Sequence, residues 1–259
     1  MIKEMVAGYS RADFETLHKD AKQRFEELKS EWTDKLLWTV PKRARHLLGV
    51  DREKISGYPI FDGTHVLAQR SFVASFLEGN TSGSRPWIRY IHPDPDRNRN
   101  TANREFLDRV TNRALAILAN SNFYHEAGQF YYDFGSVDTG AHIIKRRGNS
   151  VHFYTLYPGS YFIMNNAFNE VEMLVREFSL SAKALVNRYG KKKNGSYDWE
   201  MFSPKVKMLY DRTDSNVKIE CVEIFVRNKD YNPNIPLGGT NRAWTSVVYE
   251  TGVYGAGGF

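Results

Sequence analysis

The sequence predicts an α+β protein, in which N-terminal helices are followed by an antiparallel β meander with interleaved helices. Over most of residues 11–134, apolar residues recur at every third or fourth position, which is the spacing of helices that bury one face. From residue 141 the period changes to two, in short runs separated by turn residues. Because the helices precede the strands instead of alternating with them, the α+β class is favoured. We expect a mainly helical part over residues 1–140 and an α+β part over residues 141–259.

Four helices are predicted in the first part. The first runs from Arg11 to Leu37, with Ser10 as its N-cap and Pro41 as its stop signal. A proline-stiffened loop is expected at His92–Asp96. The remaining helices are predicted over residues 64–77, 101–119 and 123–134. Five aromatic residues are expected to anchor the core or the contacts between helices: Trp32, Trp38, Trp87, Phe106 and Phe123.

Six strands and two further helices are predicted in the second part. The two helices cover residues 179–190 and 203–210, and each begins with a serine that can cap it. The strand with the strongest alternation covers residues 217–226. The predicted strands lie at residues 141–145, 151–156, 161–164, 171–178, 217–226 and 243–249.

Composition excludes several classes of protein. The chain has 259 residues, of which 41% are hydrophobic and 25% charged, so it is not intrinsically disordered. No apolar run approaches the roughly 18 residues of a membrane-spanning helix, and no membrane partner is expected. The single cysteine, Cys221, excludes an internal disulfide framework. The net charge of +6 suits proximity to a polyanion without proving it.

The sequence lacks the common motifs of catalysis and cofactor binding. It has no GxxxxGK[ST] phosphate loop and no GxSxG nucleophile elbow. None of its seven histidines pairs with another histidine or with the cysteine at metal-ligand spacing. Cys221 alternates with apolar residues in a predicted strand, which is typical of a buried small hydrophobe. We therefore expect no enzymatic activity, no cofactor and no metal.

The order of short motifs resembles that of the head-to-tail connector, or portal, proteins of short-tailed bacteriophages. The resemblance covers about 90% of the chain and rests on the order of motifs that are each weak alone. One departure is Asn169, which occupies a hairpin turn where the family commonly has glycine; asparagine tolerates the positive φ of such a turn. The similar motifs are the helix from Arg11 to Pro41, Asp62-Gly-Thr, Ser84-Arg-Pro-Trp-Ile, Phe106-Leu-Asp, Ser121-Asn-Phe, Tyr132-Asp-Phe-Gly, Thr139-Gly-Ala, Tyr161-Phe-Ile-Met, Glu170-Val and Val175-Arg-Glu-Phe-Ser-Leu-Ser, followed by Tyr189-Gly.

The resemblance implies a structural virion protein that forms a homo-oligomeric ring at one capsid vertex, with host cytoplasm as the place of assembly. Its implied partners are the phage terminase, capsid or scaffold proteins, tail proteins, and DNA that passes non-specifically through the assembled channel. The residues present would form the wing of the subunit. The stem, clip and crown of the family would lie beyond residue 259, and Gly255–Phe259 resembles the approach to them.

Eight basic residues are candidate contacts with neighbouring subunits or partners. Arg176, in a predicted strand, either pairs with a neighbouring chain or faces solvent, and both readings stay open. The cluster around Arg43 is also typical of a solvated helix end. An alternative function for such clusters is nucleic-acid binding or processing. The candidates are Arg43, Arg45, Arg146, Arg147, Arg176, Lys191, Lys192 and Lys193.

Overall fold

The structure, a computed structural model, describes residues 8–49, 62–192, 194–212, 217–229, 231–235 and 241–252, apart from the side chains of Arg45 and His46. It confirms the predicted α+β class. The helices are α1 (Arg11–Thr39), α2 (Arg45–Leu48), α3 (Thr64–Gly79), α4 (Pro95–Arg99), α5 (Thr101–Ala119), α6 (Phe123–Val137), α7 (Ala182–Tyr189) and α8 (Pro204–Asp211). The strands are β1 (His142–Arg147), β2 (Ser150–Thr155), β3 (Tyr161–Asn165), β4 (Val171–Ser181), β5 (Lys218–Arg227) and β6 (Trp244–Glu250).

Helix α1 begins with a reciprocal cap, as the sequence predicts. The backbone N–H of Ser10 donates to a carboxylate oxygen of Asp13 at 2.7 Å, and the N–H of Asp13 donates to the Ser10 hydroxyl at 3.3 Å. Two of the backbone donors at this helix start are thereby satisfied. The backbone N–H and the hydroxyl of Ser10 both donate to the Asp13 carboxylate and hold its pKa below the usual value; Lys229 also lowers this pKa, and burial opposes the shift.

The strands form two sheets, where the sequence predicts one meander. Strands β1 and β2 pair only with each other, in an antiparallel hairpin, among the described residues. Strands β3, β4, β5 and β6 form an antiparallel sheet in that order. Asn169 closes the β3–β4 turn with a φ of 63°, which confirms that asparagine adopts the positive φ expected in this turn.

The chain divides into two compact units. One consists of Met1–Leu28 and Ser160–Phe259, and the other of Lys29–Gly159. This division differs from the boundary expected at residue 140, because the first 28 residues belong with the C-terminal strands. Helix α1 contributes to both units, and Leu28, at the division, is 47% exposed although it lies in the predicted apolar stripe.

In the unit that contains Ser160–Phe259, the four-stranded sheet is covered on both faces. Helix α1 packs on one face, where Phe25 lies 5.1 Å from Phe162, ring centre to ring centre. The Tyr249 hydroxyl donates to the Phe14 carbonyl at 3.4 Å on this side. On the other face, α7 and α8 bury a cluster with the central strands. This cluster comprises Ala182, Leu185, Val186, Phe202, Val206, Leu209, Ile219, Cys221 and Val248.

In the unit formed by Lys29–Gly159, helices α3 and α6 pack through aromatic rings. Phe76 lies 5.4 Å from Tyr131 and 6.0 Å from Phe134. Gly135 permits this approach, since a Cβ there would lie 2.6 Å from the Phe72 ring. The β1–β2 hairpin is attached to the start of α6. Asn122, the residue before this helix, exchanges two side-chain hydrogen bonds with the backbone of Phe153 in β2.

One predicted anchor is wrong, and one predicted loop is partly helical. Phe106 is 57% exposed, and the buried residue of its helix is Thr111, on another side. Trp38 is 54% exposed, but its ring lies 5.6 Å from that of His65, so it contacts α3 without being buried. Trp32, Trp87 and Phe123 are partly buried. Within the predicted loop His92–Asp96, the side chain of Asp94 accepts from the backbone N–H of Asp96 and caps the short helix α4. Proline at the first helical position does not oppose that start.

Glu250, at the end of β6, has a buried carboxylate with no hydrogen bond among the described residues to compensate for its loss of solvent. It is 1% exposed, and neither carboxylate oxygen has a hydrogen-bond partner in the described part of the chain. Its register neighbour on β5 is Cys221. Burial, followed by the negative charge of Glu250, raises the pKa of the Cys221 thiol to about 12. The carboxylate thus faces an apolar cluster that offers it no donor.

We expect Glu250→Leu to raise the free energy of unfolding by about 1–3 kcal/mol, since it removes a buried polar group that makes no hydrogen bond. Urea titration measures this change. The matched control is Glu220→Leu, which replaces an exposed glutamate on β5 and is expected to change stability by less than about 0.5 kcal/mol. A loss of stability in Glu250→Leu would show that the carboxylate has a partner.

Candidate functional site: buried ion pairs and exposed basic clusters

Arg43, the first candidate contact residue, lies inside its own unit. The short 3₁₀ turn Pro41–Arg43 follows α1 and directs the guanidinium towards α6. There Nε and Nη2 donate to the two carboxylate oxygens of Asp133, and Nη1 donates to Gln129 at 3.0 Å. Asp133 and Gln129 are four residues apart on one face of α6, so a single planar guanidinium reaches both.

The Arg43–Asp133 pair is closed off from solvent. Arg43 is 6% exposed and Asp133 is fully buried, and the guanidinium carbon lies 4.7 Å above the Tyr157 ring. Burial raises the pKa of Asp133 to about 6, and the hydrogen bonds and charge of Arg43 oppose that rise. The pair thus joins the turn after α1, helix α6 and the segment after β2 within one unit.

Arg176 is likewise paired within the chain, in place of the contact or solvent exposure considered from the sequence. It lies on β4 directly opposite Glu223 of β5. Its Nε donates to the Glu223 carboxylate at 2.6 Å, and its guanidinium carbon lies 4.5 Å above the Phe178 ring. Both members of the pair are less than a tenth exposed. The alternation that placed Arg176 in a strand could not reveal its partner, which lies 47 residues away.

Four of the candidates are exposed at the ends of secondary-structure elements. Arg146 and Arg147 end β1, and Arg146 donates to the Gly148 carbonyl across the hairpin turn at 3.0 Å. Lys191 and Lys192 follow α7, and the ammonium nitrogen of Lys192 lies 3.4 Å from a carboxylate oxygen of Asp198. The side chain of Arg45 and the whole of Lys193 lie outside the described residues. The structure therefore separates the candidates into two buried structural arginines and exposed residues at the ends of elements.

Sequence reasoning missed a polar network where α1 meets the sheet. His18 and Lys22 each lie 2.8 Å from the Glu177 carboxylate. Burial alone raises the pKa of Glu177, but the hydrogen bonds from His18 and Lys22 outweigh it and the pKa is lowered. The i, i+4 spacing of His18 and Lys22 was visible in the sequence, whereas Glu177 is more than 150 residues away.

An open cleft lies beside this network. It has a volume of about 450 Å³ and is lined in part by Arg11, Glu15, Lys19 and Tyr249. Arg11 is held in place, since its Nε lies 2.7 Å from Glu15 and its guanidinium carbon 3.9 Å above the Tyr249 ring. Three of the lining side chains, those of Arg11, Glu15 and Tyr249, are therefore already in contact with one another.

The described residues provide no evident catalytic arrangement. Among them there is no group of three or more His, Cys, Asp or Glu side chains that could hold a metal ion. Cys221 is buried, and its raised pKa disfavours the nucleophilic thiolate. No helix in the described ranges combines the length and apolarity needed to cross a membrane.

We expect Arg43→Met to lower the free energy of unfolding by about 3–5 kcal/mol, because it leaves Asp133 as a buried, unpaired charge. The loss should be larger at pH 8 than at pH 5. Without Arg43 the folded-state pKa of Asp133 rises further above its unfolded value, so stability falls as pH rises through the folded-state pKa.

The double variant Arg43→Met with Asp133→Leu should regain most of that loss, since no buried charge remains. Lys42→Met is the matched control, because Lys42 is exposed beside Arg43. Chemical denaturation at both pH values measures all three. A loss that is equal at pH 5 and pH 8 would contradict the assignment of the cost to the carboxylate.

Comparison with known proteins assigns the chain to a family. Residues 11–256 match the family described as bacteriophage head to tail connecting protein. The portal protein of Salmonella phage epsilon15 is 25% identical over 225 residues, which are 86% of this chain and 39% of that protein. The probable portal protein of Bordetella phage BPP-1 is 29% identical over 194 residues, which are 74% of this chain and 33% of that protein.

The chain thus spans between about a third and two fifths of the length of these curated relatives. The family match, by contrast, covers nearly every described element, from the first residue of α1 to beyond the end of β6. The chain belongs to the bacteriophage head to tail connecting protein family.

Proposed function

We propose that this chain is the wing of a portal subunit: a structural part of a ring at one capsid vertex, through which DNA is packaged and ejected and to which the tail attaches. The observation that carries the proposal is the family match over residues 11–256. The relatives named as portal proteins support it. The role is mechanical, so it requires a stable body and defined contacts but no catalytic group.

The interior of each unit suits such a role. The Arg43–Asp133 and Arg176–Glu223 pairs are both buried. Arg43 binds the two oxygens of its carboxylate, a bidentate geometry that is directionally specific, whereas Arg176 binds one oxygen of Glu223. Breaking either pair would leave an uncompensated charge inside a unit. Within each unit, such a pair keeps the segments that it joins in place when DNA or tail proteins load the ring.

In this proposal the exposed basic residues contribute electrostatic contacts with neighbouring subunits, terminase, or capsid, scaffold and tail proteins. Arg146, Arg147, Lys191 and Lys192 are the described candidates, because their side chains are accessible. Scattered cations of this kind interact with DNA phosphates weakly and without reading bases. Such weak contact is what a channel protein needs if DNA is to move past it.

The proposal predicts that the chain self-associates and binds DNA only weakly. Sedimentation velocity should show a concentration-dependent oligomer that dissociates in part as salt is raised, because some of its contacts are ionic. Titration of duplexes of two unrelated sequences should give equal dissociation constants in the micromolar range or weaker.

A monomer at every concentration and salt would contradict ring assembly. Nanomolar affinity for DNA with a steep dependence on salt would instead support the alternative, nucleic-acid binding or processing. Arg146→Glu with Arg147→Glu tests the hairpin cluster, and Arg99→Glu, at an 83% exposed position on α4, is the control. Only the hairpin variant should weaken association.

A further inference from the structure

The most exposed large apolar side chain in the described residues is Phe168, at the tip of the β3–β4 hairpin. It is 85% exposed. Val171, where β4 begins, is 44% exposed and extends the apolar surface of the tip. Single exposed apolar residues are ordinary on protein surfaces. What distinguishes Phe168 is the rigidity of the turn that carries it.

Hydrogen bonds fix the turn around Phe168. The Asn166 side-chain oxygen accepts from the backbone N–H of Phe168 at 2.9 Å and from that of Glu170 at 3.0 Å. The backbone N–H of Asn166 donates to the Glu170 carbonyl at 2.9 Å, and the side-chain amide of Asn165 donates to the side-chain oxygen of Asn169 at 3.2 Å. Because the backbone of this turn is already fixed, little backbone entropy is lost when Phe168 binds a partner, so the position suits an interface anchor.

A second exposed apolar surface lies in the other unit, along α5. Phe106, Val110 and Ile117 are 57%, 37% and 37% exposed. At 100° per residue these three positions fall within about 40° of one another, so they form one stripe along the helix. Helix α5 is anchored by a different side, on which Thr111 is buried. We call these three residues the α5 stripe.

The charges beside the two surfaces are complementary. Arg109 and Arg113 are exposed on α5 beside the stripe, and neither forms an ion pair within the described part of the chain. Near Phe168, Glu172 is exposed and likewise has no ion pair among the described residues. Glu170, also near the tip, pairs at 3.3 Å with Arg227. An aromatic tip with a free carboxylate therefore matches an apolar stripe flanked by free guanidinium groups.

We propose that Phe168 of one subunit packs on the α5 stripe of a second copy of this chain. The two surfaces differ from each other, so the contact is heterologous, and repetition of a heterologous contact generates a closed ring when its rotation closes. The inference rests on the proposed function, which requires such a contact, and it names the residues on each side. Glu172 then lies opposite Arg109 or Arg113 of the neighbour.

Disulfide trapping tests the contact in the chain, whose only native cysteine is the buried Cys221. The double variant Phe168→Cys with Val110→Cys should give, after mild oxidation, a ladder of covalent multimers on a non-reducing gel. Each single variant should give dimers at most, because a ladder requires two different cysteines on every subunit. Phe168→Cys with Ile144→Cys is the matched control, since Ile144 is 62% exposed on β1 and is not part of the α5 stripe.

Sedimentation of the unmodified chain separates this inference from the function on which it rests. Oligomers without a ladder, or an equal ladder in the Ile144 control, would overturn the Phe168 contact and leave the ring proposal standing. A ladder restricted to the Val110 variant supports the contact. If neither oligomers nor a ladder form, both the Phe168 contact and the ring proposal are overturned. As a second readout, Glu172→Arg should weaken association at least tenfold, and adding Arg113→Glu should restore most of it.

Discussion

The C-terminal strands depend on one constraint: the sheet β3–β6 is buried on both faces. Helix α1 covers one face through Phe14 and Phe25, and α7 and α8 cover the other. Every inward polar group must therefore find a partner within the fold. Arg176 meets this demand by pairing with Glu223 across adjacent strands, and Tyr249 by donating to the Phe14 carbonyl. Glu250 does not meet it among the described residues.

The constraint also explains why the first helix belongs with strands more than 130 residues later. The unit that contains Ser160–Phe259 also contains the start of α1, whose Phe25 packs on Phe162 of the sheet. Arg43 plays a comparable part in the other unit, where it joins the turn after α1 to α6. Both buried arginines hold distant segments of sequence in one arrangement.

The sequence was sufficient for most elements, because period and capping are local signals. It placed α5 at its observed limits and positioned Asn169 in a left-handed turn. It could not separate β1–β2 from the larger sheet, since strand pairing is decided by contacts between distant residues. The partners of Arg43 and Arg176 were hidden for the same reason. The exposure of Phe106 was missed because an apolar stripe predicts burial whether the covering surface belongs to the same chain or to another.

The central proposal is that this family member acts by assembling with itself into a ring. Electron microscopy of the purified chain tests that claim most directly. Our account predicts closed rings of uniform diameter with a central opening in projection. Discrete single-subunit particles, or filaments that never close, would contradict it.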